Sequence, residues 1–256
     1  MSWSTHIYAY CERGGDPAFW AEPANALSNV AFLIAAGAGF LALADLPGHE
    51  RGIARPLMVG LVTAIAIGSF LFHTYANRWS ALGDVLPILG FILVYFAFAL
   101  NRFLGVGAVW TLLLTLAYAG LFWAAMQLRC GTGDGLIGGL GSISLSGPGR
   151  RCLNGSIAYL PALGAIWVFA GLLWRVRHPA WRHLVLAGVI FAVSLAARTV
   201  DRLWCPVMSI SGHPFGSHAL WHLLNALTLF VLMRAAIRRS RDSRRPPLVE
   251  PDPLSY

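Results

Sequence analysis

The stretch PLMVGLVTAIAIGSFLFH, residues 56–73, decides how this chain folds. It carries no arginine and no carboxylate, and it is long enough to cross most of a bilayer as a helix, which takes about 20 apolar residues. It closes on Ser69 and His73, four residues apart, and Asp84 follows eleven residues later. Ionisable groups at membrane depth are costly and tend to mark function there.

The rest of the chain agrees with a membrane reading. Of 256 residues, 57% are hydrophobic and 12% charged, about half the charged fraction of an ordinary soluble domain. Six further apolar stretches match the first, so that seven spans are expected near Ala24–Leu43, Pro56–His73, Val85–Leu100, Val106–Leu128, Ile157–Trp174, His183–Arg198 and His218–Ile237. The sixth is marginal because it contains Ser194 and Arg198. The fold class is therefore all-α, a seven-transmembrane-helix bundle over residues 23–238. Residues 1–22 form an irregular polar and aromatic segment outside the membrane, and 239–256 a charged, proline-containing tail expected to be disordered. The first span begins with Pro23, Asn25, Ser28 and Asn29, whose polar groups must face the bundle. The N-terminus lacks the basic-then-apolar plan of a cleavable signal peptide.

With seven spans the termini lie on opposite sides. Twelve arginines fall on the side of the C-terminus and seven on the side of the N-terminus, which puts the C-terminus in the cytoplasm. A bacterial inner membrane is the expected location. The net charge of +8 resides in loops and the tail, where it sets topology and meets anionic headgroups. Nucleic-acid binding is excluded, because no basic surface is interleaved with stacking aromatics. No soluble partner is evident. Cys11, Cys130, Cys152 and Cys205 all lie on the outer side, which suits disulfides in an oxidising compartment. Three pairings are possible. The favoured one joins Cys130 to Cys152 across the Gly/Ser-rich loop and Cys11 to Cys205.

Span direction then brings distant residues to one depth. The second span runs outward to His73, the third returns from Asp84, and the seventh runs inward from His218 and His222. Residues four apart share a helix face, so Ser69 lies one turn deeper than His73. Three histidines with a free fourth position form the arrangement of a catalytic zinc. Taken alone, the His-x-x-x-His pair also fits a haem ligand set or a hydrogen-bonded structural pair. Asp84 is placed to move the proton of a metal-bound water, and Ser69 to stabilise an oxyanion.

Ser69-Phe70-Leu71-Phe72-His73, Asp84 and His218-Ala219-Leu220-Trp221-His222 together resemble the alkaline ceramidases. These are seven-helix zinc amidases of a superfamily that includes the adiponectin-type receptors. Tyr10-Cys11-Glu12 and Ala21-Glu22-Pro23-Ala24-Asn25-Ala26-Leu27-Ser28-Asn29 are similar to the segment leading into that family's first helix, and the resemblance covers the whole chain. It implies His73, His218 and His222 as zinc ligands, Asp84 as acid/base and Ser69 as transition-state stabiliser. The implied reaction is hydrolysis of the ceramide amide to a sphingoid base and a fatty acid. A Cys11–Cys205 disulfide fits the family as well.

The resemblance also implies a calcium site in the N-terminal segment, built from the carboxylates of Glu12 and Glu22, the Tyr10 carbonyl and Asp16. Here the chain departs from the pattern: Ala9 and Gly14 stand where the family has an aspartate and an asparagine. The alternative is a loop whose carboxylates are solvated or paired with Arg13. The leading expectation is a zinc-dependent lipid amidase. The alternatives are a seven-helix lipid receptor with a structural zinc and a hydrolase of another acylated lipid.

Overall fold

A computed structural model describes residues 2–131, 143–145, 150–210 and 212–237. The expected disordered tail, 239–256, lies outside the described residues, as does much of the Gly/Ser-rich loop. Among the described residues, seven helical segments are long and apolar enough to cross a membrane: Pro23–Ala44, Ala54–Tyr75, Arg78–Phe103, Ala108–Gln127, Cys152–Arg175, Trp181–Trp204 and His218–Ile237. The chain is an integral membrane protein with the all-α seven-helix architecture expected from its sequence.

The first span is two helices, α1 (Pro23–Ser28) and α2 (Val30–Ala44), which meet at Asn29. There the Asn29 side chain donates to the carbonyls of Asn25 and Ala26. Asn25 and Asn29 are buried, so the polar start of the span faces the bundle as its side chains require. A one-turn helix, α3 (Gly48–Arg51), leads to α4 (Ala54–Tyr75). The latter ends at Ala76, whose left-handed φ of 46° reverses the chain into α5 (Arg78–Phe98).

The third span starts earlier than Val85 because Asn77 and Ser80 form a reciprocal cap: Asn77 Oδ1 accepts from the Ser80 amide, and Ser80 Oγ from the Asn77 amide. Asp84 consequently sits inside α5, in its second turn. At its far end α5 widens into a π turn, Ala99–Phe103. The helix α6 (Ala108–Gln127) buries only Tyr118, Phe122 and Ala125 and turns Trp110, Leu112, Leu116 and Trp123 outward, as a lipid-facing helix does.

A 3₁₀ segment, Cys152–Tyr159, runs into α7 (Leu160–Arg175), followed by α8 (Trp181–Trp204) and α9 (His218–Ile237). The sixth span is not marginal. Its polar residues Ser194, Arg198 and Asp201 all point inward, and its lipid side carries Leu186, Val189 and Val193. The most extensive packing joins α4 to α5 and α8 to α9, with α2 laid against both α4 and α9. The core therefore centres on α9, whose inward residues run from His218 to Ile237.

Both favoured disulfides are present. Cys130–Cys152 closes the loop after α6, where β1 (Leu128–Cys130) pairs antiparallel with β2 (Ile143–Leu145) and β3 (Arg150–Arg151). Cys11–Cys205 ties the N-terminal segment to the end of α8. That segment also crosses the α4–α5 turn, where the Ile7 amide donates to the Ala76 carbonyl at 2.7 Å.

Candidate metal centre

The backbone contact that builds the site involves two glycines. Pro87, inside α5, has no N–H to offer the Gly83 carbonyl four residues back. That carbonyl points instead at Gly68 of α4, where any Cβ would collide with it. The two helices thus touch backbone to backbone one residue before Ser69 and one before Asp84. This contact turns the Ser69 side chain toward the Asp84 carboxylate, which also lies within electrostatic reach of His73 and Arg198.

His73, His218 and His222 are all buried, and their ligand atoms lie within 4.8 Å of one another. Two of them are oriented from behind. His73 Nδ1 is 2.6 Å from Glu22 Oε2, and His222 Nδ1 is 2.7 Å from Ser28 Oγ. Their Nε2 atoms are thereby left for the centre of the cluster. His73 Nε2 and His218 Nδ1 are buried ring nitrogens without a hydrogen-bond partner. A buried polar atom left unpaired is destabilising, and a cation among the three rings would satisfy it. A ligating histidine backed by a carboxylate is the usual support for a bound metal. The donor set of three imidazoles suits zinc with one position free, among other divalent metals.

The N-terminal segment braces this cluster. Arg13 is 2% exposed. Its guanidinium donates to Glu22 Oε1 at 2.6 Å and to the carbonyls of Asp16, Ala18, His73 and Thr74 at 2.9–3.1 Å. Burial alone would raise the Glu22 carboxyl, but hydrogen bonds from His73, Arg13 and Asn25 outweigh it and hold the group below the usual carboxylate range. Glu22 is an anion held between a permanent cation and a candidate ligand.

The residues expected to hold calcium do other work. Glu12 accepts from the amides of Ala24 and Asn25, which otherwise have no partner at the start of α1, and burial pushes its carboxyl up. Asp16 accepts from the Ala18 amide, and the Tyr10 carbonyl from the Gly14 amide. Glu22 is engaged as described above. Among the described residues Glu12, Asp16 and Glu22 do not form a metal-binding group, and the three-histidine cluster is the only such group. Within the same segment the Arg13 side chain is a buried cation paired with Glu22.

Several contacts of the site were not foreseen from the sequence. The Tyr10 ring stacks on His218 with centroids 3.7 Å apart, so Tyr10 contributes its ring to the site. Arg198 is caged between Tyr159 and Trp221, its guanidinium 5.3 and 5.7 Å from the ring centroids, and it is directed at the Tyr10 hydroxyl. Asp201 accepts from the amides of Cys11, Ser217 and His218 at 2.8–2.9 Å. It thus fixes both the start of α9 and the residue after Tyr10. An arginine and an aspartate within an apolar run were the signals available for these two. Arg13 carried none.

No known family model matches the chain, and no curated protein matches it.

Proposed function

We propose that the protein is an intramembrane lipid amidase that uses zinc at His73, His218 and His222. Its substrate in this reading is ceramide or a ceramide-like lipid, split at the N-acyl bond to a sphingoid base and a fatty acid. The observation that carries the reading is the juxtaposition of the Ser69–Asp84 pair with the three histidines, above an apolar chamber in the bundle. That chamber is lined by Ile65, Ile88, Phe91, Tyr159, Phe191 and Asn225, among others. Ile65 is one turn from Ser69, Ile88 one turn from Asp84, and Asn225 just under a turn from His222. The chamber is about 60 Å³ as it stands, so an acyl chain would have to part its walls to enter, and its carbonyl would then reach toward the histidines.

Bound zinc would supply a Lewis acid and a water whose pKa falls to about 7. Asp84 takes the proton of the attacking water and delivers it to the departing nitrogen, so the products are a carboxylic acid and an amine. Ser69 donates a hydrogen bond to the oxygen on which negative charge develops. Tyr10 packs its ring on His218, and Arg198 is directed at the Tyr10 hydroxyl. The arginine distribution orients the bundle with its C-terminus in the cytoplasm, which sets the site in the outer half of a bacterial inner membrane.

The chamber wall is almost wholly apolar, so it selects for a chain and not for a headgroup. That favours, as second reading, hydrolysis of another acylated lipid. The test is purified protein with its metal content measured, incubated with ceramides and with other N-acyl lipids, and the products followed by mass spectrometry. Asp84→Asn should keep its zinc and lose turnover by at least about 100-fold. Cleavage confined to other acylated lipids would move the assignment to the second reading. An Asp84→Asn protein as active as the wild type would refute the role of Asp84 in proton transfer, and no cleavage of any acylated lipid by the zinc-loaded wild type would refute the amidase reading and leave a lipid receptor.

A further inference from the structure

At the end of the bundle opposite the histidines, a second cleft opens between α4, α5 and α6. His73 and Arg55 lie at the two ends of α4, eighteen residues and about 27 Å apart. The cleft has a volume of about 670 Å³. Its mouth carries Arg51, Arg55 and Arg102, with Glu50 as the one carboxylate lining it. Its deeper wall is apolar and includes Leu57, Val94, Phe98 and Leu112.

Two of the arginines are fixed in place by carbonyls at helix ends. Arg51 donates to Ala44 and Leu46, and Arg55 to Ala236 and Glu50. The third, Arg102, is exposed on the π turn Ala99–Phe103. Such widened turns are rare and concentrate at functional sites. Arg55 and Arg102 are close enough to repel one another. Three cations around one carboxylate leave the mouth with positive charge that an anion would neutralise.

We propose that this cleft binds an anionic phospholipid of the adjoining leaflet, its phosphate at Arg51, Arg55 and Arg102 and one acyl chain along Leu57, Val94 and Leu112. Both halves of the cleft decide for a lipid. A soluble phosphate would satisfy the arginines and leave the apolar wall, which lies inside the spans, without a partner. A neutral lipid would fill the wall and leave the cationic mouth unneutralised. The lightly packed α6 is the helix such a lipid would join to α4, since α6 touches α5 more than it touches α4. Binding here is independent of the chemistry at the histidines.

The test is thermal unfolding of the full-length protein in neutral detergent, titrated with dioctanoyl phosphatidylglycerol, dioctanoyl phosphatidylcholine or inorganic phosphate. Phosphatidylglycerol should stabilise the wild type saturably, and the other two should not. Arg102→Gln should weaken that response about fivefold, the effect of one arginine near an anionic surface. It should leave the lipid-free melting temperature near that of wild type, because Arg102 is exposed. Arg175→Gln, an exposed arginine on the same side but outside the cleft, should respond as wild type does. Equal stabilisation by phosphatidylcholine, an unchanged phosphatidylglycerol response in Arg102→Gln, or the same shift with phosphate alone would each overturn the proposal.

Discussion

Glu22→Gln separates the bracing of the site from its metal. One Glu22 oxygen accepts from Arg13, and the other from His73 and Asn25. A glutamine amide offers one oxygen in place of two. Whichever way it turns, an N–H faces a buried donor, and the negative charge opposite Arg13 is gone. Breaking a buried ion pair from one side costs about 3–5 kcal/mol. Arg13 keeps four carbonyl acceptors, so the lower end, about 3 kcal/mol, is expected for the metal-free protein.

A second, separable loss concerns His73. Removing the carboxylate behind a ligating histidine lowers metal affinity by about 10–100-fold, which is roughly 1.4–2.7 kcal/mol. By linkage, that amount disappears from the stabilisation that saturating zinc confers. The assay is thermal unfolding of wild type and Glu22→Gln, each with and without zinc, alongside zinc affinity from competition with a chelator. Metal-free unfolding reads the bracing; the zinc-induced increment reads the ligand. Equal zinc increments in the two proteins would refute the claim that Glu22 orients a metal ligand, whatever the metal-free stabilities are.

Two further outcomes follow from the same geometry. Gly68→Ala places a methyl group against the Gly83 carbonyl. Because the obstacle is backbone, the helices must separate, at a cost toward the upper end of about 1–3 kcal/mol; ceramide turnover should fall with it, and an alanine variant with wild-type stability and activity would contradict the contact. Chelators should discriminate between metals. A calcium-selective chelator should leave both melting temperature and activity unchanged if Glu12, Asp16 and Glu22 are fully engaged by their hydrogen bonds, whereas a zinc-selective one should lower both until zinc is restored.

The parts of this protein that were legible in its sequence are those governed by composition and local spacing. Uncharged runs of bilayer length give the seven spans, and the i, i+4 rule puts His218 above His222 on one helix face. Arginine bias and four cysteines on one side gave the disulfide pairing its frame. The third span began seven residues before its expected start, at Arg78, because the cap between Asn77 and Ser80 reads as ordinary loop sequence until its hydrogen bonds are seen. Likewise Pro87 looks like a helix breaker, yet its missing N–H frees the carbonyl that nests on Gly68.

What stayed illegible were the partners of the site, and the reason is physical. A polar group inside a bilayer must be satisfied by another part of the protein, and here those partners are rarely sequence neighbours. Glu22 meets His73 across 51 residues, Ser28 meets His222 across 194, and Asp201 meets Cys11 across 190. Counting polar residues in apolar segments announces that such pairings exist; nothing in the count says which pairs form. Arg13 is the sharpest instance. It lies in a loop among acidic residues, where solvation is the ordinary expectation, and a reading from carboxylates alone leads to a bound calcium. Its five acceptors close the segment around an internal cation. The carboxylate that this cation holds in its charged form is the one that reaches His73, so the arginine acts on the metal centre through Glu22 without touching the cluster itself.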